Sequence, residues 1–266
     1  MGTNDIRRTI KETEKEFLEL FRSLCQTRSS WEVWADFVTM TACAIANSTE
    51  VDPAIRERRE SEYEACVKRM GGVDVSAQML AIVVEALERN PEQDFLGNLF
   101  MQLNLGNHWK GQFFTPYTIC KAMAALSSGP DLEKKIRDKG WVSVNDCACG
   151  AGATLIAMAN HLTEQGINYQ QTALFVAQDV DRIAALMCYI QLSLLGCAGY
   201  VVVANSLTNP LTGASTLLPN IQQGQEAWLT PMFCHPVWQL RQLEERMQLH
   251  KEAAAQVKDA EERRIA

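Results

Sequence analysis

Residues 141–155 read "WVSVNDCACGAGATL", and no other stretch restricts the fold as much. A β-branched apolar run ends at Asp146, a turn punctuated by Gly150 and Gly152 follows, and an apolar helical pattern begins at once. Glycines at such a turn let the backbone approach a ligand without a Cβ in the way. The free N–H groups of the following helix favour polar or anionic groups. The same rhythm recurs downstream. The helix "GATLIAMANHLTEQG" is closed by Gly166, "TALFVAQDV" reads as a second strand, "DRIAALMCYIQLSLLG" as a second helix and "YVVVANS" as a third strand. A fourth strand is expected in "AWLTPMFC". Strands alternating with helices of this length predict a parallel, three-layer α/β sheet. Right-handed crossovers then gather the C-terminal strand ends on one edge, where ligands bind.

The hundred residues before this region read as helices. Thr3 caps one whose apolar positions Ile6, Ile10, Phe17, Phe21 and Leu24 keep helical spacing, Ser30 begins another, and Pro53 opens a third that Gly71 and Gly72 stop. The pattern "SAQMLAIVVEALERN" is a fourth, ending before Pro91. The expected organisation is a helical domain over 1–105, an α/β domain over 106–235 and a charged helix over 236–266. Along that last helix Leu240, Leu243, Met247, His250, Ala254 and Val257 recur three and four apart, a short imperfect heptad seam. It reads equally as a surface helix on its own domain and as the helix of a homodimer or partner contact.

Composition removes several classes. No stretch approaches the roughly 18 apolar residues of a membrane span, and the charged N-terminus has no signal-peptide pattern. Nine cysteines without framework spacing point to reduced thiols and a cytoplasmic location. Cys147 and Cys149 alone are too little for a metal site, so no metal is expected. A formal charge of −7 implies that any nucleic-acid contact leans on a partner or a local patch.

The turn narrows the ligand further. A dinucleotide fingerprint would place a glycine where Leu155 stands. Asp146, just before the turn, would repel a pyrophosphate but suits a ligand with a positive amino group. Asp179, at the tip of the second strand, is placed to accept both hydroxyls of a ribose, or else to cap the next helix. S-adenosyl-L-methionine, with an ammonium and a sulfonium, fits best.

These residues carry a resemblance. "DCACGAGATL" resembles motif I of the adenine-N6 DNA methyltransferases and is similar to that of the modification subunit of type I restriction–modification systems. "GQFFTP" (Gly111 to Pro116) is similar to motif X of that family and "AQDVD" to its motif II, in the right order. The resemblance covers roughly residues 75 to 210. It implies a Rossmann-like S-adenosylmethionine-dependent methyltransferase fold, here with its sheet cut short, behind a helical leader. It also implies a DNA substrate reached through a partner or specificity subunit. Residue by residue, it assigns Phe114, Thr115 and Pro116 to the methionine end of the cofactor. Asp146, Gly150 and Gly152 would line its amino-acid and ribose region, Asp179 the ribose hydroxyls, Val180 the adenine ring and Asn205 the adenine amino group.

Adenine-N6 methylation also needs a polar side chain that accepts from the amino group of a flipped-out base. The family uses [DN]-P-P-[YFW] after its fourth strand. Here "TNPL" (Thr208 to Leu211) lacks the second proline and the aromatic. "HPVW", with His235, Pro236 and Trp238, is the better positional match, as a degenerate tetrad. Two principal expectations follow: an adenine-N6 methyltransferase subunit, or a catalytically lapsed methyltransferase-like binding and regulatory module. A more distant one is methylation of RNA or protein.

Overall fold

The computed structural model describes residues 3–105, 114–129, 131–213 and 215–265, with side chains between 12 and 255. Gly111 to Phe113 of "GQFFTP" and the side chains of Ile6, Ile10 and Val257 lie outside the described residues.

Five helices form the N-terminal part: α1 (Thr3–Leu24), α2 (Ser30–Asn47), α3 (Pro53–Met70), α4 (Asp74–Arg89) and α5 (Phe95–Gln102). Their ends follow local chemistry. Ser29 and Glu32 form a reciprocal capping box at α2, and Asp52 caps α3 ahead of Pro53. Gly71 closes α3 in the left-handed region at φ 78°. The core of this part is aromatic. Phe17, Phe21, Trp34 and Phe37 are 0–1% exposed and meet mostly edge to face, the geometry the ring quadrupole favours.

Two helices not foreseen in the sequence, α6 (Tyr117–Ser127) and α7 (Leu132–Lys139), lead into β1 (Val142–Asp146). Then come α8 (Ala153–Glu164), the short α9 (Tyr169–Thr172), β2 (Ala173–Asp179), α10 (Arg182–Leu194) and β3 (Ala198–Val203). β1, β2 and β3 are parallel and adjacent, as the alternating pattern required. α10 is buried from Ile183 to Leu192 because it lies between the sheet and α2. That explains an apolar pattern running all round the helix.

β4 (Glu226–Leu229) corrects the all-parallel expectation. It joins the sheet beside β3 but runs antiparallel, with Val203 opposite Glu226 and Tyr200 opposite Leu229. The remainder of "AWLTPMFC" is not strand but a 3₁₀ turn over Pro231–Cys234. The order is therefore β1-β2-β3-β4, with β1 on the rim. One face of the sheet joins the helical core through Phe175, Ala177 and Val201. The other, through Leu174, Val176, Tyr200 and Val202, packs under Leu217, Phe233 and Trp238.

The chain ends in α11 (Pro236–Ile265). Its first turn is anchored: Trp238 is fully buried, its indole N–H donates to the Gln170 carbonyl at 2.8 Å, and its ring meets Trp141 edge-on. Further along, Leu240, Leu243 and Met247 are each about half exposed, at 57%, 52% and 48%. The seam is thus not packed on this chain's own sheet.

The helical part and the sheet share one apolar core that runs from Phe17 to Trp228. Polar contacts reinforce it. Arg59 on α3 donates to Glu50 and to the Ala227 carbonyl and lies over the Trp228 ring, while Arg182 bridges Glu62 and Glu226. Among the described residues no single helix is long and apolar enough to cross a membrane, and all nine cysteines are free thiols.

Trp238→Ala empties the space under the sheet and leaves the Gln170 carbonyl without its donor. It should lower unfolding free energy by about 3–5 kcal/mol in urea titrations. A loss below about 1 kcal/mol would mean that this anchor is not formed.

Candidate cofactor site

Three parallel strands end on one edge of the sheet, and their last residues, with those just beyond, are Asp146, Asp179 and Asn205. The turn after β1 is held by its own polar groups. Asp146 accepts from the Ala148 N–H at 3.0 Å with one oxygen and from the Thr154 hydroxyl with the other. The Cys149 N–H donates to the Gln178 carbonyl of β2, stitching the turn to the neighbouring strand.

Both turn glycines are required sterically. Gly150 has φ 52°, and a Cβ there would lie 3.0 Å from the Phe114 ring. Gly152 has φ 95°, and a Cβ there would lie 2.8 Å from the Cys188 Sγ. The left-handed backbone and the close packing demand glycine independently. Phe114, in turn, packs on Phe100 with ring centroids 5.2 Å apart, and with Thr115 it lies against the turn.

Asp179 is 7% exposed and spans two elements. Its Oδ2 accepts from the Gly150 N–H and its Oδ1 from the Asp181 N–H, both at 2.8 Å. The helix-cap alternative for Asp179 is corrected here. Asp181 is the residue that caps α10, accepting from the Ala184 N–H at 2.8 Å. Burial pushes the Asp181 carboxyl up.

Beside the turn lies a cavity of about 80 Å³ lined by Asp94, Phe114, Thr115, Asp146, Gly150 and Thr154. A larger groove of about 520 Å³ continues from Asp146 and Thr154 along the unpaired rim of β1, past Val144, Leu132, Met123 and Met158. At the tips of β2 and β3 two apolar side chains stand in solvent, Val180 at 68% and Leu207 at 91% exposure. Pro116 occupies the N-cap position of α6 and is exposed, as is Thr115. Asn205 is exposed, and its Oδ1 accepts from the Leu207 and Thr208 N–H groups, so it caps a turn.

The geometry separates the tetrad candidates. "TNPL" lies on the ligand edge, but the Asn209 amide is committed to the loop, donating to the Gln223 carbonyl and accepting from Gln225. His235, Pro236 and Trp238 lie on the opposite edge. Because β4 is antiparallel, its C-terminal end meets the start of β3, where the Thr230 N–H donates to the Gly199 carbonyl. Trp238 is packed against Trp141 at the entry to β1 and offers no face to a base. The degenerate-tetrad expectation at 235–238 is therefore corrected: Trp238 anchors α11 beneath the sheet, and His235 and Pro236 are exposed at the start of that helix.

Three residues of this edge went unread in the sequence. Gln178, 4% exposed, donates to the Ala204 and Asn209 carbonyls and accepts from the Leu211 N–H, which fixes the loop after β3. Gln191, wholly buried, accepts from the Leu96 N–H and donates to Asp94 and to the Ala151 carbonyl. Asp94 caps α5. A lone glutamine in the apolar run "LMCYIQLSLL" was the available signal for Gln191, since a buried amide must find partners.

The pattern of the N-6 DNA methylases matches residues 95–261, well over half of the chain. The chain belongs to that family. Among solved structures, a Listeria monocytogenes protein assigned as a class I S-adenosylmethionine-dependent methyltransferase is 20% identical, with a TM-score of 0.42. The match covers 76% of this chain and 56% of the Listeria chain, so this chain spans little more than half its length. No curated protein matches.

Membership in the methylase family brings S-adenosyl-L-methionine as cofactor, and the turn has the features that ligand needs. Its walls carry carboxylates that suit an ammonium and a sulfonium, its glycines leave backbone bare, and Val180 offers an apolar side chain at the rim.

Gly152→Ala should lower stability by about 1–3 kcal/mol, from backbone strain and the clash with Cys188. Adding Cys188→Ala should recover part of that loss in urea unfolding, because the clash is relieved while the strain stays. Simple additivity of the two losses would show that the two residues do not touch.

Proposed function

We infer that this chain is the cofactor-binding part of a DNA adenine-N6 methyltransferase that relies on a partner or specificity subunit to engage DNA. The observation that carries the reading is the crossing of Asp179 from β2 to the Gly150 N–H, which holds a carboxylate and a bare glycine turn on one edge. S-adenosyl-L-methionine, when bound, supplies the methyl group. In this reading the protein's own residues bind and orient. Phe114, Thr115 and Pro116 enclose the amino-acid end, and Asp146, Gly150 and Gly152 line the path from there to the sugar. Asp179 accepts from the ribose hydroxyls on the lone pairs its two backbone donors leave open. Val180 packs on the adenine ring, and Asn205 faces the adenine amino group.

No residue of this chain is given the task of accepting from a target adenine. Asn209 is held by its loop, and His235 to Trp238 lie on the far edge. Both observations favour a second reading, a catalytically lapsed module that keeps its cofactor for regulation or assembly. In either case the net charge of −7 leaves DNA contact to a partner. The exposed stripe Leu240, Leu243 and Met247 is the candidate seam for that partner or for a second copy.

Asp179→Ala should weaken S-adenosylmethionine binding at least tenfold in calorimetry, with the circular dichroism spectrum unchanged and a lower Tm from the two stranded N–H groups. Unaltered affinity would overturn the ribose assignment. A tritiated methyl-transfer assay on DNA, run beside that titration, should show cofactor bound without efficient transfer by the isolated chain. Transfer at a normal rate by this chain alone would overturn its dependence on a partner.

A further inference from the structure

Asp94 lies in the helical half of the chain, yet it forms part of the wall of the small cavity at the glycine turn, with Asp146, Thr115 and Gly150. It is 3% exposed. Among the described residues, both hydrogen bonds to its carboxylate fall on Oδ1, from the Gly97 N–H and from Gln191 Nε2, each at 2.8 Å. Asp146 and Asp179, by contrast, each use both oxygens. The Oδ2 of Asp94 is thus the least committed carboxylate oxygen around the turn. It rests over Gly97, where a Cβ would come within 2.0 Å of it, so only glycine at 97 admits the carboxylate in this place.

The electrostatics of the cavity are one-sided. Burial pushes the Asp94 carboxyl up, against the pull of Gln191 and the Gly97 N–H. Behind the turn, burial also raises the Cys188 thiol, and the charges on Asp146, Asp94 and Asp179 raise it further. Two carboxylates, Asp94 and Asp146, line this one small space, and the described residues lining it include no cation. A desolvated carboxylate is costly without a positive partner, and a ligand cation placed there offsets that cost.

We propose that Asp94 receives the primary ammonium group of the cofactor's amino-acid end, which makes the N-terminal helices part of the cofactor site. The proposal rests on the cofactor reading above and deepens it. Asp94 reaches the turn because Gln191 holds α5, α10 and the Ala151 carbonyl together. The loop residues then set the sugar, while the helical half reads the charge at the other end.

The test is a calorimetric titration of the full chain and of Asp94→Asn with two probes. S-adenosylhomocysteine carries the amino-acid end, and methylthioadenosine is a similar nucleoside without it. Asparagine keeps the Oδ1 acceptor for Gly97 and Gln191, and Asp94→Ser, which keeps a helix cap, serves if the first variant does not fold. Affinity for S-adenosylhomocysteine should fall at least tenfold, with methylthioadenosine affinity changed less than twofold. Equal binding of S-adenosylhomocysteine by variant and wild type would overturn the proposal, as would an equal loss for both probes. A wild-type chain that binds neither probe would instead overturn the cofactor reading.

Discussion

The amide of Gln191 is the contact on which most of this architecture depends. It lies wholly buried in a helix that is otherwise apolar, where an unsatisfied amide would be expensive. Its bonds join two distant parts of the chain to α10: the start of α5 with the carboxylate that caps it, and the carbonyl between the two turn glycines. Satisfying one side chain therefore sets the distance between the helical half and the ligand edge. Apolar packing between α2 and α10 supplies the bulk of the association, but packing alone tolerates sliding that directional bonds do not.

The second constraint is the direction of β4. A parallel fourth strand would have delivered residues 230–238 to the edge that holds Asp146 and Asp179. The antiparallel strand delivers them to the other edge, where Trp238 fills the space beneath β1 and β3 and starts a long helix. The ligand edge is thus furnished by the turn after β1, the tips of β2 and β3, the stretch before α6 and the cap of α5. That composition suits holding a small cationic nucleoside. The groove on the rim of β1 is continuous with it but is lined mainly by apolar side chains and strand backbone.

Much was legible along the chain because it is written in local patterns. The three parallel strands, the helices between them, the glycine turn and the acid at the end of β2 follow from periodicity, caps and glycine placement, all short-range effects. What went unread involves partners far apart in sequence. Asp94 and Gln191 stand 97 positions apart and meet only after two helices pack. Gln178 resembled an ordinary strand residue until the loop after β3 folded back on it. Asp179 and Asp181 are both acids near a helix start, and only the backbone geometry says which one caps it.

By itself, then, the order of residues determined that a βαβαβ unit with a bare turn and a carboxylate at the tip of its second strand would form, since helix and strand periods and the glycine φ requirement are properties of short segments. Only tertiary structure decided that the tryptophan of "HPVW" is an anchor, that the helical leader shares the core of the sheet, and that a buried aspartate from that leader lines the cavity at the glycine turn. Strand direction and burial depend on which surfaces meet, and no local pattern encodes that choice.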